Sequence, residues 1–196
     1  MRHNCAAYLD GLPNGFDSFP EAQGLFDAFT PMLARLDLDA VDARLRQALE
    51  AQERRRAPWV PEALNTAIVL ATADDAADDD VFLASVLDRN LELYKRPVYR
   101  ALMFVLSPTL ALMGAPRRWS AFHRGTTLDV GAWKPVGDRN TATLRLEHPA
   151  GLFPPLIHRA YAEAFRAAGV VTRADDVTIA CDSTASSATF EVSYRR

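Results

Sequence analysis

The chain has 196 residues, 49% of them hydrophobic and 24% charged, with a net charge of −3. This composition fits a globular fold that can bury a core without cross-links, and it excludes a disordered or fibrous chain. The slightly acidic balance also argues against a dedicated nucleic-acid binder, whose partner face is basic.

The start, Met1-Arg2-His3-Asn4-Cys5, lacks the apolar run of a signal peptide. Gly11, Pro13, Asn14 and Gly15 mark a loop, with a short strand expected around Tyr8 and Leu9. Ser18-Phe19-Pro20-Glu21 has the pattern of a capping box, opening a helix faced by Leu25, Phe26 and Phe29. Thr30-Pro31 restarts it, because proline fits a first turn. Asp39 is placed to cap a further helix with Val41, Leu45, Ala48 and Leu49 on one side. Arg54, Arg55 and Arg56 then complement its negative end. These segments form an N-terminal loop and helical extension, residues 1–57.

Pro58 and Pro61 open the second unit, residues 58–196. Glu62 to Ala71 is a short, largely uncharged helix, which implies burial. Asp74, Asp75, Asp78, Asp79 and Asp80 lack the alternation, central glycine and closing glutamate of a calcium loop. They read as a solvated loop that caps the next helix. That helix, Val81 to Tyr94, repeats Leu83, Leu87 and Leu91 at helical spacing. Pro97 starts another through Leu106, and Ser107-Pro108 a short one that ends near Gly114. The charge-free stretch from Ala101 to Pro116 is shorter than the ~20 residues of a membrane span and is broken by Pro108 and Gly114. No span is expected, and the stretch reads as core.

After Gly125 the period changes from helix to strand. Thr127 to Trp133 forms one strand, and 137–140 a turn. Thr141 to His148 alternates, with Ala142, Leu144 and Leu146 on one face. Pro154-Pro155 starts a helix with Ile157, Tyr161, Ala164, Phe165 and Ala168 inward, stopped by Gly169. Val177, Ile179 and Cys181 mark a third strand; Ala188, Phe190, Val192 and Tyr194 mark a fourth. The expected class is α+β: N-terminal helices packed on a four-stranded antiparallel sheet made of two hairpins joined by a helix.

The densest chemistry lies in Ala115–Leu128, at the corner between the helical and strand patterns. His123 and Arg124 fall in an expected last helical turn, where both suit the dipole and Gly125 ends the turn. The competing functional reading is an anion site, with Arg118, His123 and Arg124 converging beside Trp119. Helical spacing would put Arg117 and Arg124 on one face and Trp119, Phe122 and His123 on the next. His3, His123, His148 and His158 form none of HxH, HxxxH or HExxH, so no metal is expected. His148 reads as strand-end packing, and His158 as exposed early in its helix. There is no GxSxG, GxGxxG or Walker-type loop. Cys5 and Cys181 form neither a disulfide framework nor a zinc set. They imply a reducing, cytoplasmic setting.

From about Pro58 onward the chain resembles a myxobacterial paralogous family of unknown function. The matching features are the helix Val81–Tyr94, Tyr99-Arg100 leading to Leu106-Ser107-Pro108, Pro116-Arg117-Arg118-Trp119 with Phe122-His123-Arg124-Gly125, and the closing Phe190-Glu191-Val192-Ser193-Tyr194. That family is distantly similar to a superfamily of ligand-binding domains. It includes vinyl-reductase-like domains, haem-nitric-oxide sensors and small vesicle-tethering subunits. The resemblance implies helices on one side of a twisted antiparallel sheet with a pocket between. Haem does not carry over, because Val81–Leu106 has no histidine and Ser193-Tyr194-Arg195-Arg196 only approximates the propionate-binding pattern. Cys181 alone stands where vinyl-reductase-like domains have paired cysteines.

The sequence thus points to a non-catalytic small-molecule-binding or regulatory domain with no cofactor. Its pocket, for an apolar or anionic molecule, is expected between helices and sheet. The expected site residues are Arg118, Trp119, Phe122, His123, Arg124, Tyr99, Phe104 and Phe165. The alternatives are a homo- or hetero-oligomeric interaction scaffold without a ligand and, third, an enzyme of unknown class.

Overall fold

A computed structural model describes residues 3–95 and 107–195. The chain opens with helix α1 (Asn4–Asp10) rather than the short strand expected at Tyr8-Leu9. The Asp74 carboxylate accepts from the backbone N–H groups of Asn4 and Cys5 at 2.8 and 2.9 Å. It thereby caps α1 from a distant part of the chain.

The expected capping box does not form. Ser18 ends a 3-10 turn over Gly15–Ser18, where its hydroxyl accepts from the Asn14 N–H at 3.0 Å. The helix expected around Leu25 is instead strand β1 (Gln23–Leu25), a 3-10 turn over Phe26–Ala28 and the one-turn helix α2 (Thr30–Leu33), with Pro31 in its first turn. Pairing over a distance overrides local helix propensity here. β1 lies between β2 (Trp59–Pro61) and β3 (His123–Arg124), antiparallel to both. Residues before Pro58 therefore supply the middle strand of a small sheet.

Helix α3 (Ala43–Arg55) is capped by Asp42, whose carboxylate accepts from the Arg44 N–H at 2.8 Å. The expected cap, Asp39, instead lies 3.7 Å from the Arg46 guanidinium, because a turn over residues 37–40 delays the helix. Leu45 and Leu49 face inward, as their spacing predicts. Helix α4 (Glu62–Asp74) is buried along most of its length. Before α5 (Asp79–Lys95), Asp78 accepts from the Val81 N–H at 2.8 Å, and Asp79 and Asp80 pair with Arg159. The helix expected from Pro97 to Leu106, with Tyr99 and Phe104, lies outside the described residues. Ser107 caps α6 (Pro108–Met113), and α7 (Ala115–Phe122) follows Gly114.

The large sheet contains β4 (Thr127–Val130), β6 (Arg139–Glu147), β7 (Asp175–Ser183) and β8 (Ser187–Arg195), in the order β4-β6-β8-β7. A further short strand, β5 (Lys134–Val136), also pairs with β6, so the sheet has five strands rather than the expected four. The expected strand Thr127–Trp133 stops at Val130. The chain leaves the ladder there and rejoins it across the Gly137 turn, where φ is +61°. The alternation seen in the sequence fixes the register. Leu144 faces Phe190 and Leu146 faces Ala188, all four fully buried.

Helix α8 (Pro155–Val171) connects the two hairpins and packs against α5 and β7. Gly169 does not stop it. A β-carbon at Gly169 would lie 3.0 Å from a Val177 methyl, so the glycine serves a close helix–strand approach. His158, expected to be exposed, is fully buried because its Nε2 meets the His148 Nε2 at 2.9 Å. The class is α+β. Among the described residues, no helix is long and apolar enough to cross a membrane.

Candidate functional site

The helix α4 carries three polar side chains, Glu62, Asn65 and Thr66, at spacings that place them on one face. Each is at most 2% exposed. The Glu62 N–H donates to the Ala22 carbonyl at 2.9 Å, which ties the start of α4 to the chain just before β1. A carboxylate in a first helical turn is favoured by the helix dipole.

Strand β3 brings His123 to this carboxylate. Its Nδ1–H donates to Glu62 Oε1 at 3.2 Å. The imidazole stacks on Trp119 with centroids 3.9 Å apart and an interplanar angle of 17°. The Trp119 Nε1–H donates to Thr126 Oγ1 at 2.9 Å, which locks the indole. Tyr161 of α8 sets its ring edge-on to both, at 5.0 Å from Trp119 and 6.1 Å from His123. Burial, reinforced by the Glu62 charge, holds the Tyr161 phenol well above its usual pKa. Burial raises the Tyr8 phenol too; its hydroxyl donates to the Leu152 carbonyl at 3.0 Å.

Gly24 in β1 pairs in register with His123 and closes this end of the site. A β-carbon there would land on both Glu62 Oε2 and Asn65 Nδ2. Neither of those atoms has a hydrogen-bond partner, and Asn65 Oδ1 has none either. Glu62 and Asn65 are among the residues that line a cavity of about 550 Å³. Val69, Val86 and Ile157 supply apolar wall, and Arg35 and Arg89 also line it. The lining comes from α2 and its flanks, α4, α5 and α8, so this cavity lies among helices rather than between helices and the large sheet.

Of the residues singled out in the sequence, Trp119 and His123 come together behind Glu62. Arg124 points the other way, because successive side chains of a strand alternate and β3 replaces the expected helix end. Its guanidinium lies 3.7 Å from the Trp59 ring centroid. The Arg118 guanidinium donates to the Ala111 carbonyl, and burial lowers its pKa; it clamps α7 to α6. Phe122 is half-buried. Phe165 packs edge-on against Phe190 at 5.1 Å, under the sheet. None of Arg118, Phe122, Arg124 and Phe165 lines the cavity. Tyr99 and Phe104 lie outside the described residues.

The sequence pattern places Tyr161 inward but assigns none of Gly24, Glu62, Asn65, Thr66 and Tyr161 to a site. A signal was available: three polar residues at i, i+3 and i+4 on a helix otherwise apolar enough to be buried. Among the described residues, no group of three or more His, Cys, Asp or Glu is placed to hold a metal ion. No protein-family model, curated protein or solved structure matches this chain.

Proposed function

We propose that this chain is a non-catalytic small-molecule-binding domain with a regulatory role in the cytoplasm. The observation that carries the reading is the set of unpartnered buried atoms, Glu62 Oε2 and both amide atoms of Asn65, on two residues that line the cavity. Leaving a buried polar group unsatisfied costs about 1–3 kcal/mol, and folded proteins carry few of them. A ligand that both donates and accepts hydrogen bonds would satisfy all three. The apolar wall would hold its body.

His123 does not line the cavity, and its ring is fixed by Trp119 and Glu62. It serves as a support that orients the Glu62 carboxylate. Ligand occupancy would reach β1 and β3 through Gly24 and His123, which offers a route for a regulatory signal. The free thiols of Cys5 and Cys181 are in keeping with a reducing compartment.

Native mass spectrometry of the purified chain, followed by denaturing extraction, tests this reading. The expected result is a retained small molecule that is lost on Asn65→Leu. A bare protein, or a clean ligand-free dimer unchanged by that substitution, would contradict it and favour an interaction scaffold.

A further inference from the structure

The cavity lining is uneven in burial and carries both signs of charge. Glu62 and Asn65 in its lining are buried, whereas Arg35 is exposed. Arg89 of α5 lines the same cavity and is half-buried. Burial and the neighbouring Arg35 charge hold the Arg89 guanidinium below its ordinary pKa range. Two cationic side chains thus line one cavity.

Several arginines elsewhere in the fold pair with acids. Arg44 pairs with Asp10 and Asp42, Arg139 with Asp176, and Arg159 with Asp79 and Asp80. Arg35 and Arg89 form no such ion pair among the described residues. Asp88 and Glu92 also line the cavity, yet neither bridges to them, and Glu92 is engaged by Lys95 at 2.5 Å. A half-buried guanidinium beside a second one is a costly arrangement unless an anion completes it.

We infer that the cavity takes an organic anion, a carboxylate or a phosphate monoester, with its charged group at Arg35 and Arg89 and a hydroxyl at Glu62 and Asn65. This rests on the binding-domain reading above and adds the ligand class. The wall of α4 from Glu62 to Val69 rises about 10 Å, at 1.5 Å per residue. That length suits an extended chain of about eight carbons.

The test is calorimetric titration of the full chain with 8-hydroxyoctanoate, 8-hydroxyoctyl phosphate and octane-1,8-diol. The three probes share a length and a terminal hydroxyl and differ in the outer group. At least one anion is expected to bind about tenfold tighter than the diol, and the tighter anion names the class. That gain should vanish in Arg35→Gln and in Arg89→Gln, where the anions should bind no tighter than the diol. Arg35 is exposed, so its variant keeps the test valid even if Arg89→Gln fails to fold. A diol that matches both anions, or a gain that survives in Arg35→Gln and in a folded Arg89→Gln, would overturn the anion assignment and leave the cavity reading intact. No binding by any of the three would remove the cavity reading, and this inference with it.

Discussion

The fold buries two polar pairs, and they are resolved in opposite ways. In one, the His148 Nδ1–H donates to the Pro149 carbonyl at 2.9 Å, which leaves its Nε2 to accept from the His158 Nε2–H at 2.9 Å. One lone pair, on His158 Nδ1, goes unmet. In the other, Glu62 and His123 share one hydrogen bond, while the second carboxylate oxygen and the whole Asn65 amide stay unmet beside a cavity. Phe153 and Tyr161 join the two pairs in one aromatic line, with centroids 5.4 Å apart. The histidine pair nearly completes its own bonding and holds the start of α8 to the end of β6. The glutamate pair leaves its deficit on two residues that line a cavity. A hydrogen-bond deficit next to space marks a binding site better than the mere presence of reactive side chains.

The largest effect should come from crowding the Glu62 and Asn65 side chains. Gly24→Ala drives a methyl group onto Glu62 and Asn65, and we expect a loss of about 3 kcal/mol, read from urea denaturation, together with loss of any retained ligand. An unchanged midpoint would mean that β1 does not press on the site as described.

Next in size is the acid response of the histidine pair. Burial lowers both imidazoles from 6.5, with His158 reaching about 4. The unfolded chain therefore takes up protons first. The contribution is full above pH 6.5 and drains away as pH falls towards 4, by about 2 kcal/mol. Urea midpoints at pH 7 and pH 4.5 read it, and His158→Leu should flatten the difference. An equal acid response in that variant would assign the loss to other groups.

The large sheet was legible because its signal is local. Alternation over the nine residues of β6 and of β8 fixes both the buried face and the register. The small sheet gave no such signal. Its strands are two or three residues long, and β1 finds β3 about a hundred positions away. That pairing turns Leu25 from a helix into a strand and sends Arg124 away from His123. His158 was misplaced for the same reason, since its polar partner His148 sits on another element. Trp119 and His123 stand close together in the sequence, but Glu62, which meets His123, lies 61 positions away. The burial of α4 was legible; that its polar residues would remain unpaired depended on tertiary packing.

The most direct test is the melting temperature of ligand-free Asn65→Leu beside that of the ligand-free wild type. Asn65 is fully buried with both amide atoms unmet, so removing them should relieve about 1 kcal/mol and raise Tm by a few degrees. A polar group kept for binding at the expense of stability predicts that rise. A lower Tm would show that Asn65 holds the fold together, and would contradict the central claim that the cavity it lines is a ligand site.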